Sequence, residues 1–410
     1  MANRFWLLAP LLSACEASTA SQLVDHGDGT YSVGADPGRS LASFRQGALT
    51  WSYAGQAHYS WNPRPIASLD YVVPPQRPRT DEDKLLGMLR EDADGSLWRV
   101  TGVDMAMVRG QVARHDAASP EVARGLTVED PRLAVTPPVE PVGRHVSVRP
   151  HSWTFGDCDN SGGLFATDGD NQYYMGDDDR VKIDPTGSPR RKAMVEIRVN
   201  NATQCSGVIL RSQWVLTAAH CLYDSNDLLI NRSLMTVVRW DGVDGTPLAL
   251  ANRFIDNGFT SPGVDPKDDW ALLKLAAPLQ APFNDMDISG ASDSTLNGLA
   301  HVSNYAFPQF APHCSDNVNG SIVDAMWMNT AGELGAIYAD KVNFKIDGGP
   351  GHSGSPVFYC PNGDNDGECD GDEQAFVIAV WSGWNGVETT MVGAKGPSHR
   401  TSAIATMDNN

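Results

Sequence analysis

The sequence predicts an all-β protein preceded by an irregular N-terminal region. Its 410 residues include 39 glycines and 26 prolines, which indicates many turns and few long helices. From about Ser152 onward, short runs rich in β-branched residues lie between turn residues. The strand-like runs do not alternate with helices, as they would around a parallel sheet. A sandwich or a barrel is therefore expected. The clearest strand-like runs are residues 193–199, 207–210, 234–240 and 375–381.

The N-terminus has the layout of an export signal. A basic residue precedes an apolar core over residues 5–12, and small residues follow. The apolar stretch is too short to span a bilayer as a helix. The four residues that end at Cys15 are also similar to the lipobox of bacterial lipoproteins, which implies a signal peptide over residues 1–14 and lipidation of Cys15. Cleavage after Ala20 is the alternative, and either cut leads to an exported protein, in the bacterial cell envelope or secreted.

Residues 15–150 carry no catalytic signature. They contain aromatic clusters and a Pro-rich run, and residues 135–142 have the composition of an extended linker. One helix is predicted to begin after Thr80, a favourable N-cap, because acidic residues follow it and Leu85 and Leu89 have helical spacing. The region is interpreted as a pro-segment or as an accessory domain with a linker.

The charge balance excludes some classes of partner. The formal net charge is -19 and the sequence pI is about 4.8. Nucleic acids and anionic membranes attract Lys- and Arg-rich surfaces, so neither is an expected partner, and membrane contact is expected only through a lipid on Cys15. Of the seven cysteines, six remain without Cys15. This even set suits three disulfides in an oxidising compartment, although spacing alone leaves the pairing open.

Three segments supply the groups that peptide hydrolysis needs in the absence of a metal. The hydrolysis requires a nucleophile, a base, a group that orients the base and donors for the oxyanion. His220 follows an apolar strand, Asp269 precedes another, and Ser353 lies in a Gly-rich turn. A structural histidine, a surface acidic pair and a linker would be the simpler explanations of each segment alone. The order His, Asp, Ser excludes the α/β-hydrolase arrangement, in which the serine comes first.

The segment over residues 205–221 resembles the histidine motif of the trypsin/chymotrypsin family of serine proteases almost letter for letter. The resemblance implies two six-stranded antiparallel β-barrels within residues 151–410. It also implies a catalytic triad of His220, Asp269 and Ser353, with Asp268 as a neighbour on the surface. The cysteines at the two ends of the motif, Cys205 and Cys221, are implied to form a disulfide.

The turn around Ser353 indicates the oxyanion site and the branch of the family. Glycines let the chain approach the substrate closely, so the N–H groups of Gly351 and Ser353 can converge on one oxygen. Trypsin-like enzymes have an Asp before the nucleophile for zymogen activation, whereas this chain has His352. The following Ser355 is similar to the glutamyl-endopeptidase (V8-like) branch. Residues 174–185 also resemble the start of mature enzymes in that branch, which implies a maturation cleavage near residues 173–175.

Four further residues are expected to bind substrate. Glutamate-specific relatives have a His where Trp381 stands, and without that cation a buried acidic P1 side chain is costly. Asp347 lies six residues before Ser353, where trypsin has the acid that selects Arg or Lys, although some glutamate-specific relatives have an Asp there too. The P1 preference therefore stays open. Ser382 and Gly383 match the substrate-binding Ser-x-Gly segment, and Ser382 is implied to help hold the catalytic aspartate.

No metal and no cofactor are expected. The acidic run over residues 364–373 misses the EF-hand spacing, because Cys369 stands where the loop glycine belongs. A solvated hairpin closed by Cys360–Cys369 is the simpler interpretation, and Cys158 and Cys314 are also expected to be disulfide-bonded. The predicted function is that of a serine endopeptidase acting on proteins or peptides. The sequence does not indicate the oligomeric state. The alternative is a catalytically silent binding lipoprotein on a protease scaffold.

Overall fold

The structure is a computed structural model. It describes residues 23–25, 30–33, 42–61, 63, 79–119, 181–240, 245–256, 258–259, 265–280, 286–299, 301–308, 317–318, 321–322, 326–346, 348–349, 351–361, 373–385 and 390–410.

The elements fall into an N-terminal group and two later groups of strands. The N-terminal group consists of β1 Leu23–Asp25, β2 Thr30–Val33, β3 Ser43–Gln46, β4 Leu49–Gln56, β5 His58–Ser60, α1 Asp81–Leu85, β6 Leu89–Glu91, β7 Ser96–Val103 and α2 Met105–Ala118. The middle group consists of β8 Val181–Ile183, β9 Met194–Val199, β10 Ala202–Leu210, β11 Trp214–Thr217, β12 Leu229–Ile230, β13 Met235–Arg239, β14 Thr246–Leu248, β15 Leu250–Ile255 and β16 Ala271–Leu275. The C-terminal group consists of β17 Asp287–Ile288, α3 Asp293–Leu296, β18 Val302–Ala306, β19 Asn317–Val318, β20 Ser321–Ile322, β21 Met326–Ile337, β22 Lys341–Lys345, β23 Pro356–Tyr359, β24 Phe376–Asn385, β25 Thr390–Lys395 and α4 Gly396–Asp408.

The C-terminal strands form a closed six-stranded antiparallel barrel. The order runs β24, β23, β18, β21, β22, β25 and returns to β24, so every strand of the ring has two neighbours. Apolar side chains fill its interior, among them Phe344 and Trp381, whose rings meet edge to face with centroids 4.9 Å apart. The predicted barrel architecture is thereby confirmed for this half, and the predicted strand at 375–381 begins β24.

The middle strands form a second antiparallel sheet. Six of them lie in the order β13, β9, β10, β11, β16, β15, with β14 at the edge beside β13. The predicted runs at 193–199, 207–210 and 234–240 correspond to β9, the end of β10, and β13. Nearly every residue of β9, β10 and β11 is buried, because both faces of this sheet are covered.

This sheet does not end at β15, because strands of the N-terminal region extend it. β6 pairs antiparallel with β15, and β7, β4 and β3 follow in that order. Trp51 and Leu85 of the N-terminal region are fully buried in the same apolar core as Val195 of β9. The N-terminal region is predicted to be irregular. Its described residues before 120 instead form strands and helices that pack on the middle strands.

The helix predicted after Thr80 is present but shorter than the leucine spacing indicates. Thr80 and Asp83 form a reciprocal capping box at its N-terminus. The helix ends at Leu85, and Gly87 with a φ of 84° turns the chain, so Leu89 lies in β6. At the other end of the chain, α4 packs against α1 and α2. Among the residues that the structure describes, no helix is both long enough and apolar enough to cross a membrane.

Candidate active site

His220 lies at the end of a hairpin that fixes its backbone. β10 and β11 pair antiparallel, and the chain then enters a 3₁₀ turn over Ala219–Leu222. A disulfide joins Cys205 of β10 to Cys221, with the Cα atoms 6.1 Å apart. The two sulfur atoms and the imidazole lie within 4.8 Å of one another, but the sulfurs are bonded to each other and do not form a metal site. The disulfide implied by the histidine motif is confirmed.

Asp269 faces His220 because of the strand register. β16 pairs with β11 so that Ala271 lies opposite Thr217, and Asp269 precedes β16 at the C-cap of a 3₁₀ turn. Asp269 Oδ1 accepts from the His220 backbone N–H at 2.8 Å, and Oδ2 lies 2.6 Å from Nδ1. Both side chains are buried. A carboxylate only accepts, so Nδ1 carries the proton, and Nε2 is left as an acceptor.

The turn that carries Ser353 is anchored on the same hairpin. The Ser353 carbonyl accepts from the Ser206 N–H at 2.8 Å, and the Gly351 carbonyl accepts from the Ser206 hydroxyl at 2.8 Å. Gly354 has a φ of 80°, and a Cβ there would lie 2.1 Å from Thr217 Oγ1. Glycine is required at this position both for the backbone conformation and for the close approach to β11.

Some backbone N–H groups of this turn are hydrogen-bonded within the protein, and others are not. The His352 N–H donates to Gly349 O at 3.0 Å, and the Gly354 N–H donates to Trp381 O at 2.7 Å. Within the described part of the chain, the N–H groups of Gly351 and Ser353 have no acceptor. These are the two donors predicted for the oxyanion, and Gly351 has a φ of 92° that orients its peptide unit.

Ser353 and His220 are both held by the β10–β11 hairpin, and among the described residues no hydrogen bond joins their side chains. Across the part of the chain that the structure describes, His220 Nε2 has no hydrogen bond to an oxygen or nitrogen, and Cys221 Sγ lies 3.9 Å from it. Ser353 is 8% exposed, whereas His220 is 1% exposed. The serine is thus the member of the set that solvent reaches most readily. Bonds between nucleophile and base are often longer in the absence of substrate.

His352 and Trp381 pack against each other behind the turn. His352 Nδ1 accepts from the Gly349 N–H at 3.2 Å, and the ring centroids of His352 and Trp381 are 5.3 Å apart. Trp381 is 2% exposed. A Cβ placed on Gly348 would lie 2.3 Å from the indole, so the ring fills the space between β24 and the segment that leads to Ser353. A histidine side chain in this position would be smaller.

Some of the other expected binding residues and cysteines lie among the described residues, and others lie outside them. The buried Ser382 hydroxyl donates to the Val380 carbonyl of its own strand at 3.4 Å. Gly383 lies in β24, opposite Val392 of β25. Cys360 is disulfide-bonded. The expected residues that lie outside the described ones are Cys15, Cys158, Cys314, Asp347 and Cys369.

A charged cluster beside Asp269 was not predicted. Arg79 Nη1 donates to Asp256 at 2.6 Å and to Asp268 at 2.8 Å. Burial, and then the Asp256 carboxylate, raises the pKa of Asp268 to about 7, although Arg79 acts in the opposite direction. The acidic pair before β16 was visible in the sequence, but Asp268 is buried and not on the surface. Nothing in the local pattern around Arg79 indicates its partners, which lie more than 170 positions away.

Comparisons with known proteins place the chain in a family. The family model described as Trypsin matches residues 181–389. The chain is similar to a glutamyl endopeptidase of Bacillus licheniformis, with 24% identity over 189 residues, which are 45% of this chain and 54% of that protein. It therefore spans about half the length of this curated relative. A solved structure of a Glu endopeptidase in complex with MPD aligns with a TM-score of 0.43 and 17% identity, over 57% of this chain and 99% of that chain.

Proposed function

The chain belongs to the trypsin family of serine peptidases, and we propose that it is an exported serine endopeptidase with a triad of His220, Asp269 and Ser353. One observation supports this proposal above the others. The buried His220–Asp269 pair, bonded at 2.6 Å, and the turn of Ser353 are held by the same β10–β11 hairpin. The name of the Bacillus licheniformis relative, a glutamyl endopeptidase, agrees with cleavage of peptide bonds.

The proposed mechanism assigns one role to each group. His220 Nε2 takes the proton of the Ser353 hydroxyl as that oxygen attacks the scissile carbonyl, and it later gives the proton to the leaving amine. Asp269 holds the imidazole in the required tautomer and stabilises the imidazolium. The unengaged N–H groups of Gly351 and Ser353 donate to the oxyanion, and a water then hydrolyses the acyl-enzyme. These steps use no metal and no cofactor.

The P1 preference is proposed from two residues near the turn. The bulky Trp381 replaces the histidine of glutamate-specific relatives, so the glutamate specificity of the similar endopeptidase is not expected here. Asp347 favours a basic P1 residue. A peptide-library cleavage profile measures this directly. A profile dominated by Glu at P1 would contradict the assignment of Trp381, and a profile with no basic preference would contradict that of Asp347.

Export and maturation complete the proposal. The signal over residues 1–14 is proposed to direct the chain out of the bacterial cytoplasm, with a lipid on Cys15. Cleavage near residues 173–175 is proposed to mature the enzyme. Mass spectrometry of the protein recovered from a membrane fraction tests both steps, because it identifies a lipidated N-terminus and any second N-terminus. An active protein that is recovered as one uncut chain would contradict the maturation step.

The catalytic assignment is tested by active-site labelling. A fluorophosphonate probe should label the wild-type protein and should not label Ser353→Ala, and turnover of peptides should fall by roughly 10⁴ or more in that variant. The matched control is Ser355→Ala in the same turn, which keeps the nucleophile and should keep the label. An unlabelled wild-type protein that is folded and fully processed would favour the alternative of a catalytically silent binding lipoprotein.

A further inference from the structure

The N-terminal strands and helices contact the middle strands through backbone pairing, a buried ion pair and aromatic packing. We define the N-terminal layer as β3, β4, β6, β7, α1 and α2 together with Arg79. Backbone pairing provides the first contact, because β6 lies beside β15 with Glu91 opposite Arg253 and Leu89 opposite Ile255. The layer therefore continues a sheet that also contains β11, the strand that leads to His220.

A buried ion pair and buried aromatic rings fasten the same junction. Glu91 and Arg253 are both fully buried and form an ion pair, and Arg253 also donates to Ile230 O at 2.8 Å. Phe254 of β15 lies between Trp51 of the layer and Trp214 of β11, at centroid distances of 6.0 and 5.4 Å. Two charges and three large rings are thus buried at this junction, where the layer meets the middle strands.

Contacts from the layer reach the residues on both sides of Asp269. Arg79 binds the carboxylates of Asp256 and Asp268 with one nitrogen atom. The other oxygen of Asp256 accepts from Trp270 Nε1 at 3.0 Å. Asp268 and Trp270 are the chain neighbours of Asp269, so the cluster fixes the segment before and after it. The Arg79 side chain is only 16% exposed, which makes its charge effective.

Without Arg79 this cluster would hold two buried acids next to each other. Asp256 and Asp268 are both nearly inaccessible. Lys267, bonded to Asp265 at 2.9 Å, also lowers the pKa of Asp268, but it acts less strongly than Arg79. Removal of the guanidinium would take away the hydrogen bonds that hold both carboxylates and would increase their mutual repulsion, which favours a displacement of the segment that carries Asp269. A small displacement of a positioned group costs far more in rate than in binding.

We propose that the N-terminal layer is a permanent part of the working enzyme and that Arg79 is a positioning residue for Asp269. The proposal rests on the proposed function for its effect on rate, but not for the retention of the layer. A pro-segment that leaves on maturation would uncover the Glu91–Arg253 pair and the Arg79 cluster. After any cleavage between the layer and residue 181, the two pieces should stay together as one particle.

Retention is tested first, on a protein that cannot cut itself. A specific protease site is placed between residues 120 and 180 of the full chain carrying Ser353→Ala, and the chain is cut there. Size-exclusion chromatography and native mass spectrometry should find both fragments in one particle, which separates only in denaturant. Release of the N-terminal fragment in native buffer would overturn the proposal, whatever the catalytic activity of the wild type.

The positioning role is tested with matched arginine variants. Arg79→Ala should lower kcat by about 10- to 100-fold and leave KM nearly unchanged, because Arg79 does not line the substrate site. Arg90→Ala is the control. Arg90 is also in the layer and has a 15% exposed side chain, but its polar partners are Asp92, Gln46 and Asn410. It should lower the unfolding midpoint without the loss in kcat.

Two more variants separate positioning from loss of fold. Arg79→Lys keeps a point charge and should restore part of kcat, whereas the neutral Arg79→Gln should not. The double variant Arg79→Ala with Asp268→Asn should lose less kcat than the product of the two single-variant losses. The neutral side chain at position 268 would no longer repel the Asp256 carboxylate when Arg79 is absent. Equal kcat losses in Arg79→Ala and Arg90→Ala would overturn the positioning role. Absence of wild-type labelling would refute the proposed function instead, and retention would still be decided by chromatography.

Discussion

The buried ion pair between Glu91 and Arg253 gives the most direct measure of how strongly the layer is joined to the middle sheet. Both side chains are inaccessible to solvent. Glu91 also accepts from the Tyr59 hydroxyl at 2.5 Å, and burial together with this carboxylate raises the pKa of Tyr59. Glu91→Gln keeps the shape and removes the charge, so Arg253 is left buried without its counterion.

The cost follows from the burial. Breaking a buried pair by neutralising one partner costs about 3–5 kcal/mol. With a urea m value of about 1–3 kcal/mol per M, this corresponds to a fall in the unfolding midpoint of roughly 1–5 M. Since domains are stable by about 5–15 kcal/mol, a loss of this size is a large share of the total.

The assay is equilibrium urea unfolding of the full chain carrying Ser353→Ala, followed by tryptophan fluorescence. The control is Glu333→Gln, which breaks the pair with Lys345, where the side chains are 59% and 51% exposed. Exposed pairs contribute about 0–1 kcal/mol, so the control midpoint should hardly move. Equal effects in Glu91→Gln and Glu333→Gln would refute the argument that burial controls the energy of the pair.

Three further outcomes are expected. Asp269→Asn should lower kcat by about 10⁴-fold in a steady-state peptide assay, because His220 loses the acceptor that sets its tautomer. Gly354→Ala should abolish fluorophosphonate labelling, since its Cβ would lie 2.1 Å from Thr217 Oγ1 at a φ of 80°. Asp268 has a pKa of about 7, above its ordinary value of 3.8, so the folded protein binds the extra proton between those values. The binding of this proton stabilises the fold fully below pH 3.8, and the stabilisation is lost as the pH rises through 7. Asp268→Asn should therefore flatten the stability-against-pH curve between pH 4 and 7.

Each of these outcomes has a result that would contradict it. Unchanged turnover in Asp269→Asn would remove Asp269 from the triad. Normal labelling of Gly354→Ala would show that the turn can move away from β11. A stability difference between wild type and Asp268→Asn that does not vary with pH, measured by urea midpoints at pH 5 and pH 8, would show that Asp268 is ionised throughout. The difference between the two proteins is the informative quantity, because His399, with a pKa lowered to about 4 by burial, adds a slope of its own.

Local patterns predicted the parts of the site that depend on short stretches of chain. The motif around His220 contains an apolar strand and a turn, and the structure forms the strand and the 3₁₀ turn there. The Cys205–Cys221 disulfide, implied by the family resemblance, is also present. The Gly-rich turn of Ser353 is similar, since positive φ values are required at Gly351 and Gly354. These features are encoded within a few residues, so a pattern can indicate them.

The junction of the N-terminal layer could not be predicted in this way. β6 has only three residues, and Leu89 also satisfies a helical spacing with Leu85. Its assignment as a strand comes from pairing with β15, more than 150 positions later. The partners of Arg79 are equally remote, and an arginine at the end of a Pro-rich run has no local feature that indicates a buried ion pair. Tertiary contacts determine such elements.

The pairing of β6 with β15 has a consequence for how the chain can be handled. An unpaired outer strand offers its N–H and C=O groups to any other chain, and proteins protect such strands from self-association. β15 carries Phe254 and Ile255, both about 1% exposed while the layer covers them. A protein that begins near residue 174 would present that strand uncovered and would tend to aggregate. The layer therefore protects β15 from pairing with another chain.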